Sequence, residues 1–148
     1  MTRNRYKILE EKNIVLDQLY FQYVPKRFEK AFKVKPSKNT LHITCLPHID
    51  LLKKYMESGF KDLEKTNYYK MHKSWGRKDG WIRKKIHRFV KLFKDVSKNG
   101  LKKPIIITKK PLYKKFHDGY EIYEGHHRAS IYVVLNKKMI NSKIVEFI

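Results

Sequence analysis

Gly125-His126-His127-Arg128 joins an alternating run, "YEIYE", to a segment of helical pattern that reaches Asn136. Four polar or backbone-permissive residues at a strand-to-helix junction suit one chemistry above others, the holding of phosphate. A helix start leaves its first four N–H groups unpaired and carries a partial positive charge. Gly125 places no Cβ between backbone and anion, so those N–H groups can point at phosphate oxygens. Arg128 offers a planar fork that grips two oxygens at once. His126 and His127 can donate hydrogen bonds or relay a proton near neutral pH. The ranking for phosphate contact is Arg128, then the Gly125 backbone, then the histidines.

Phosphoryl transfer often uses a carboxylate base. Glu121 and Glu124 are the nearest acids, and strand alternation puts them on opposite faces. Glu124 is the choice, with His127 as the second catalytic candidate. Each residue also has a plainer reading: Gly125 as a tight turn, Arg128 as an ion-pairing residue, the histidines as helix-start donors. No metal site is expected, because adjacent histidines point apart and no HExxH or Cys/His framework is present.

A second group is "YYKMHKSWGRKDGW", where Tyr68, Tyr69, Trp75 and Trp81 sit among Lys70, Lys73, Arg77 and Lys78. Aromatics between cations can stack bases while the cations follow a phosphate backbone. The same aromatics can equally line a core with the lysines facing water. The chain-wide charge favours a polyanion, with 35 Lys and Arg against 14 Asp and Glu and a formal charge of +21. Codon bias towards lysine would produce the same excess. Nucleic acid is the expected partner, DNA ahead of RNA, or else a free nucleotide.

The elements that must position these groups follow from periodicity. Residues 5–47 read as short extended pieces around a basic helix, "KRFEKAFK", interrupted by Pro25 and Pro36. A helix follows Pro47 and ends near Gly59. The clearest helix runs from Trp81 to Gly100, with Ile82, Ile86, Phe89, Phe93 and Val96 on one stripe. Then come a strand "PIIIT", a turn at Asp118-Gly119, the strand "YEIYE", a helix from His126, and a last strand "SKIVEF". This order predicts an α/β (α+β) chain: a small mixed sheet flanked by helices, in a single domain spanning 1–148. Cys45 is the lone cysteine, which fits a reducing compartment. With no apolar run near the ~20 residues a membrane span needs, the chain reads as cytoplasmic.

"FKDVSKNGLKKPIIIT" and "YEIYEGHHRASIYVVL", closed by "KIVEF", together resemble the core of the ParB/sulfiredoxin superfamily over about residues 80–148. Residues 1–79 would then be an extension packed on that core. The resemblance implies that Gly125 and Arg128 match the family's Gly-x-x-Arg phosphate loop, and that ATP, ADP or CTP with Mg2+ is the ligand. His126 stands where sulfiredoxins carry their cysteine, so that chemistry is absent. Glu124-Gly125-His126-His127-Arg128 is nearest the Asp-Gly-His-Thr-Arg loop of the free-serine kinases. The expectation is a nucleotide-binding, nucleic-acid-associated domain, with a phosphotransferase or ParB-like nuclease as the alternative.

Overall fold

The computed structural model describes residues 5–113 and 115–148. Five strands form one mixed sheet: β1 (Tyr6–Val15), β2 (Leu19–Phe21), β3 (Ile105–Thr108), β4 (Tyr120–Glu124) and β5 (Met139–Phe147), in the spatial order β1-β5-β3-β4-β2. Among the described residues six α-helices accompany them: α1 (Pro25–Phe32), α2 (Lys38–Leu41), α3 (Pro47–Ser58), α4 (Asn67–Ser74), α5 (Asp79–Asn99) and α6 (His126–Val134). The α/β class expected from the order of elements is the class observed.

Both edges of the sheet come from the first 21 residues. β1 pairs antiparallel with β5, from Tyr6 opposite Phe147 to Val15 opposite Met139, with a register shift between Ile8 and Glu10. β2 pairs parallel with β4, Leu19 opposite Tyr120. β1 is one ten-residue strand, longer than the short extended pieces read from its sequence. Its burial pattern explains this, since only Ile14 of the strand is buried. The pairing with β5 holds the strand, and no apolar alternation announces it.

Helix ends follow local chemistry. Pro25 and Pro47 open α1 and α3 at the first helical position, where a missing N–H costs nothing. Thr66 caps α4, its hydroxyl accepting from the Tyr69 N–H. One core lies between the sheet and α6, where Ile105, Ile107, Ile122 and Ile140 meet Ala129. A second lies among α3, α4, α5 and α6, with Leu51, Leu52, Tyr68, Ile82, Phe89 and Ile131. The long helix α5 buries Ile82, Ile86, Phe89, Val90 and Val96, and its other face is in water.

The link from β3 to β4 runs over residues 109–119, so Asp118-Gly119 is not a two-residue hairpin turn. Gly119 has another reason to be glycine. A Cβ there would lie 2.3 Å from the Gln18 carbonyl oxygen and 2.7 Å from Tyr20 Cε2. Backbone of the β2 approach occupies that space and cannot yield. By contrast, a Cβ on Gly80, in the first turn of α5, would meet nothing within 4 Å. Gly119→Ala is therefore expected to lower stability by about 1–3 kcal/mol, and Gly80→Ala to raise it by about 0.4–1 kcal/mol. Urea unfolding of the two variants beside the parent measures both signs.

Candidate functional site

β2 and β4 run parallel, β2 ending at Phe21 opposite Ile122 and β4 running two residues further to Glu124. A cavity of about 500 Å³ opens at that end. Phe21, Gln22, Tyr23 and Val24 wall one side, and Tyr123, Gly125, His126 and His127 wall another. Phe28 and Arg27 of α1, Pro47 and His48 of α3, His72 of α4, and Trp75 just past the end of α4 complete most of the lining. Crevices at the carboxyl ends of parallel strands are where ligands commonly bind in α/β sheets.

Two helices begin at this cavity. α6 starts from Gly125, at φ +113°, and α3 starts from Leu46; neither has a side-chain cap on its first turn. The ring of His48, second residue of α3, stacks on the ring of His126, first residue of α6, at 6.2 Å between centroids. The positive ends of two helix dipoles are thus brought together, each contributing on the order of 0.3–2 kcal/mol to an anion held there. Lys85 of α5 also lines the cavity. Burial first, and then Arg88 and Arg77, hold its ammonium below its ordinary pKa.

Four histidines meet in this wall. His48 lies 4.5 Å from His127 edge to face, and His127 stands equally close to Phe89. His127 Nε2 and the Tyr68 hydroxyl are 3.0 Å apart. His72 packs edge-on to Tyr68 at 4.8 Å. The Gln22 N–H donates to His126 Nε2 at 3.0 Å, so that nitrogen is an acceptor and the ring is neutral. His48 and His72 are each 7% exposed, and their Nδ1 atoms have no hydrogen-bond partner among the described residues.

Burial is the chief cause that keeps these rings neutral. It takes His126 to about 4 and, with Lys85 and the neighbouring rings, His127 to about 3. His72 falls to about 4 through burial and then Lys85 and Arg77. His48 is pushed well below its ordinary value by burial, then by His127 and His126. At neutral pH the cluster is a set of uncharged donors and acceptors, and Lys85 and Arg27 are the cations of the lining among the described residues.

Gly125, His126 and His127 therefore come together at the cavity as expected. Arg128 goes elsewhere. Its Nη1 donates to the carbonyls of Lys103 (3.0 Å) and Pro104 (2.8 Å), strapping the chain before β3 to the first turn of α6. Arg128 thus positions the first turn of α6 and is not in the cavity wall. The same turn explains Gly125: a Cβ would sit 2.5 Å from Ile105 Cγ2, so the close approach is to the protein's own β3.

Glu124 is half-buried beside the Arg128 charge and is not in the cavity wall. The deeply buried acid is Glu121, 2% exposed, which burial raises to about 8 against the opposing pull of Lys115. Its charge bears on Tyr23, whose hydroxyl burial and Glu121 push up to about 12. Among the described residues no Asp or Glu lines the cavity, and no group of His, Cys, Asp and Glu is placed to hold a metal. The lining does not fit Mg2+, which seeks carboxylate oxygens.

The basic aromatic stretch divides. Tyr68 and Tyr69 are buried in the core. Trp75 lines the cavity, its Nε1–H donating to the Arg27 carbonyl at 3.0 Å. Lys73 pairs with Asp79 at 3.0 Å, and Arg77 lies 4.7 Å above the Trp81 ring. Lys70 and Lys78 are exposed. These four cations do not form one aligned row with free aromatics. His48, His72 and Lys85 were not legible as site residues. The available signals were weak: a histidine directly after a helix-starting proline, and a lysine on the flank of the α5 apolar stripe.

The buried histidines predict the pH profile of stability. The unfolded chain takes up protons on them below about 6.5, whereas the folded chain does not until about 4 or below. Stability is therefore full above 6.5 and falls as pH drops towards 4, by on the order of 1.4 kcal/mol per pH unit for each fully buried ring. Glu121 has the opposite sign: its contribution is whole below about 4.5 and is lost as pH rises through 8. Denaturant unfolding from pH 4 to 9 should show a maximum near 6.5. Glu121→Gln should flatten the alkaline limb and, because the Glu121 contribution declines from about 4.5 upwards, steepen the acid limb, whereas His126→Gln should make the acid limb shallower.

Comparison with family models, with curated proteins and with solved structures finds no match to this chain.

Proposed function

We propose that this chain binds a nucleotide, or a closely similar phosphorylated aromatic molecule, in the cavity at the ends of β2 and β4. Its phosphates lie at the joined starts of α3 and α6 with Lys85, and its planar group lies among Phe21, Phe28, Trp75 and Tyr123. The observation that carries this reading is the pair of uncapped helix starts opening on one aromatic-walled cavity. A volume of about 500 Å³ suits a mononucleotide-sized ligand. Kinship with the ParB/sulfiredoxin superfamily belongs to the same proposal. Its support is the order α5, β3, β4, α6, β5, with the Gly125-to-Arg128 turn between β4 and α6.

Ligand retention, not phosphoryl transfer, is the activity this wall favours. The base chosen for transfer, Glu124, stands outside the cavity, and His127 there is neutral and engaged with Tyr68. Neutral histidines still donate and accept hydrogen bonds to phosphate and sugar hydroxyls.

Thermal unfolding with ATP, ADP, CTP and inorganic pyrophosphate, each with and without Mg2+, tests the proposal. A ligand at a hundred times its Kd adds about 2.7 kcal/mol, a rise of roughly 5–10 °C for a chain of this size. Lys85→Met should remove most of that rise. Arg128→Ala should lower the ligand-free Tm and leave the rise intact. If no nucleotide moves the Tm, the nucleotide reading is wrong.

A further inference from the structure

Away from the cavity, α5 turns a second face outward. Between Asp79 and Asp95 it carries no acid. Lys84, His87, Arg88, Lys91 and Lys98 recur at helical spacing on the side opposite the buried stripe, and all are exposed. At 1.5 Å per residue, Lys84 to Lys98 spans about 21 Å. Lys84, Arg88, Lys91 and Lys98 have no ion-pair partner among the described residues, whereas Asp95 is taken by Lys102 at 3.6 Å and Asn99 at 2.9 Å. This face is therefore an uncompensated cationic row.

An aromatic platform stands beside it. Phe60, just past the end of α3, is 46% exposed. Its ring stacks on His87 at 4.2 Å and 20°, and Tyr55 supports it at 5.1 Å. Lys94 places its ammonium 5.9 Å from the Tyr55 ring. An exposed planar ring fixed by two neighbours loses little freedom on taking a further ring against it. An apolar protein patch would match the ring but not the row of cations. A polyanion without planar groups would match the cations but not the ring. Duplex DNA presents phosphates but keeps its base faces stacked inside.

We propose that single-stranded nucleic acid lies along the outer face of α5, its phosphates on Lys84, Arg88 and Lys91 and one base stacked on Phe60. A cationic track with an aromatic base platform is how proteins hold single strands without reading sequence. The surface shares no residue with the cavity lining and does not depend on the nucleotide proposal.

Fluorescence anisotropy with labelled oligothymidine and oligouridine of about 15 nucleotides, and the matching duplex, tests it across a salt series. The full chain should bind single strands more tightly than duplex. The triple variant Lys84→Glu, Arg88→Glu, Lys91→Glu should reduce the slope of log affinity against log salt by about 2, at about 0.7 per phosphate contact. A charge-matched control, Lys35→Glu, Lys38→Glu, Lys138→Glu, should leave that slope nearly unchanged. Phe60→Ala should weaken single strands about 5- to 150-fold, and Phe60→Trp, which keeps a platform, should retain binding. Equal losses in the two triple variants, duplex binding as tight as single-strand binding, or no effect of Phe60→Ala would each overturn the assignment. All substituted positions are exposed, and circular dichroism of each variant confirms the fold being assayed.

Discussion

The site depends on one close contact, the approach of Gly125 to Ile105. Only a residue without Cβ can lie there, because the Ile105 side chain fills the space that a Cβ would need. The chain leaves β4, turns at positive φ and starts α6 directly over the neighbouring strand. The Arg128 guanidinium then holds the carbonyls that precede β3. Together these contacts fix the direction of α6 relative to the sheet, and with it the position of the first-turn N–H groups. Overpacking at such a point displaces a helix and a strand at once, because interiors of this density have no slack to absorb it.

What the cavity offers an anion is set by desolvation. Four imidazoles in one wall would be a strongly positive site if they were charged. Burial keeps them neutral, so the positive potential comes from helix starts and from Lys85 and Arg27. On the proposed reading, such a site draws an anion without the self-repulsion that four adjacent imidazolium ions would create. It also leaves ring nitrogens to orient a ligand by hydrogen bonds. Glu121 shows the same physics with the opposite ionisation: an acid removed from water keeps its proton at neutral pH, and its charge bears on Tyr23 only above about 8.

The lysine excess has a geometry that its count does not reveal. Some cations are spent on acids, as with Lys73 on Asp79 and Lys110 on Glu146, and exposed pairs of this kind contribute little to stability. Others cover aromatic rings, as Arg77 covers Trp81. The outer row of α5 is different in kind, because the apolar stripe on the opposite side of the same helix forces those residues into water together. One amphipathic pattern thus builds a core face and a cationic face at once.

The amino-acid sequence alone determined the α/β class, α3 with its proline start, α5 with its apolar stripe, β4, and the turn at Gly125 followed by α6. Each of these rests on short-range chemistry: periodicity, a proline, a glycine, alternation. It also placed Gly125, His126 and His127 at a helix start. Tertiary structure alone decided that residues 6–21 supply both edges of the sheet, since the exposed face of β1 leaves no alternation to read. It decided that Arg128 turns towards Lys103 and Pro104, that Glu121 is the buried acid, and that His48, His72 and Lys85 meet His127 across three helices. Those partners lie between 24 and 79 residues apart in the chain, and their burial, which sets their protonation, exists only once the helices pack. Local patterns could name the helix start, but not what gathers in front of it.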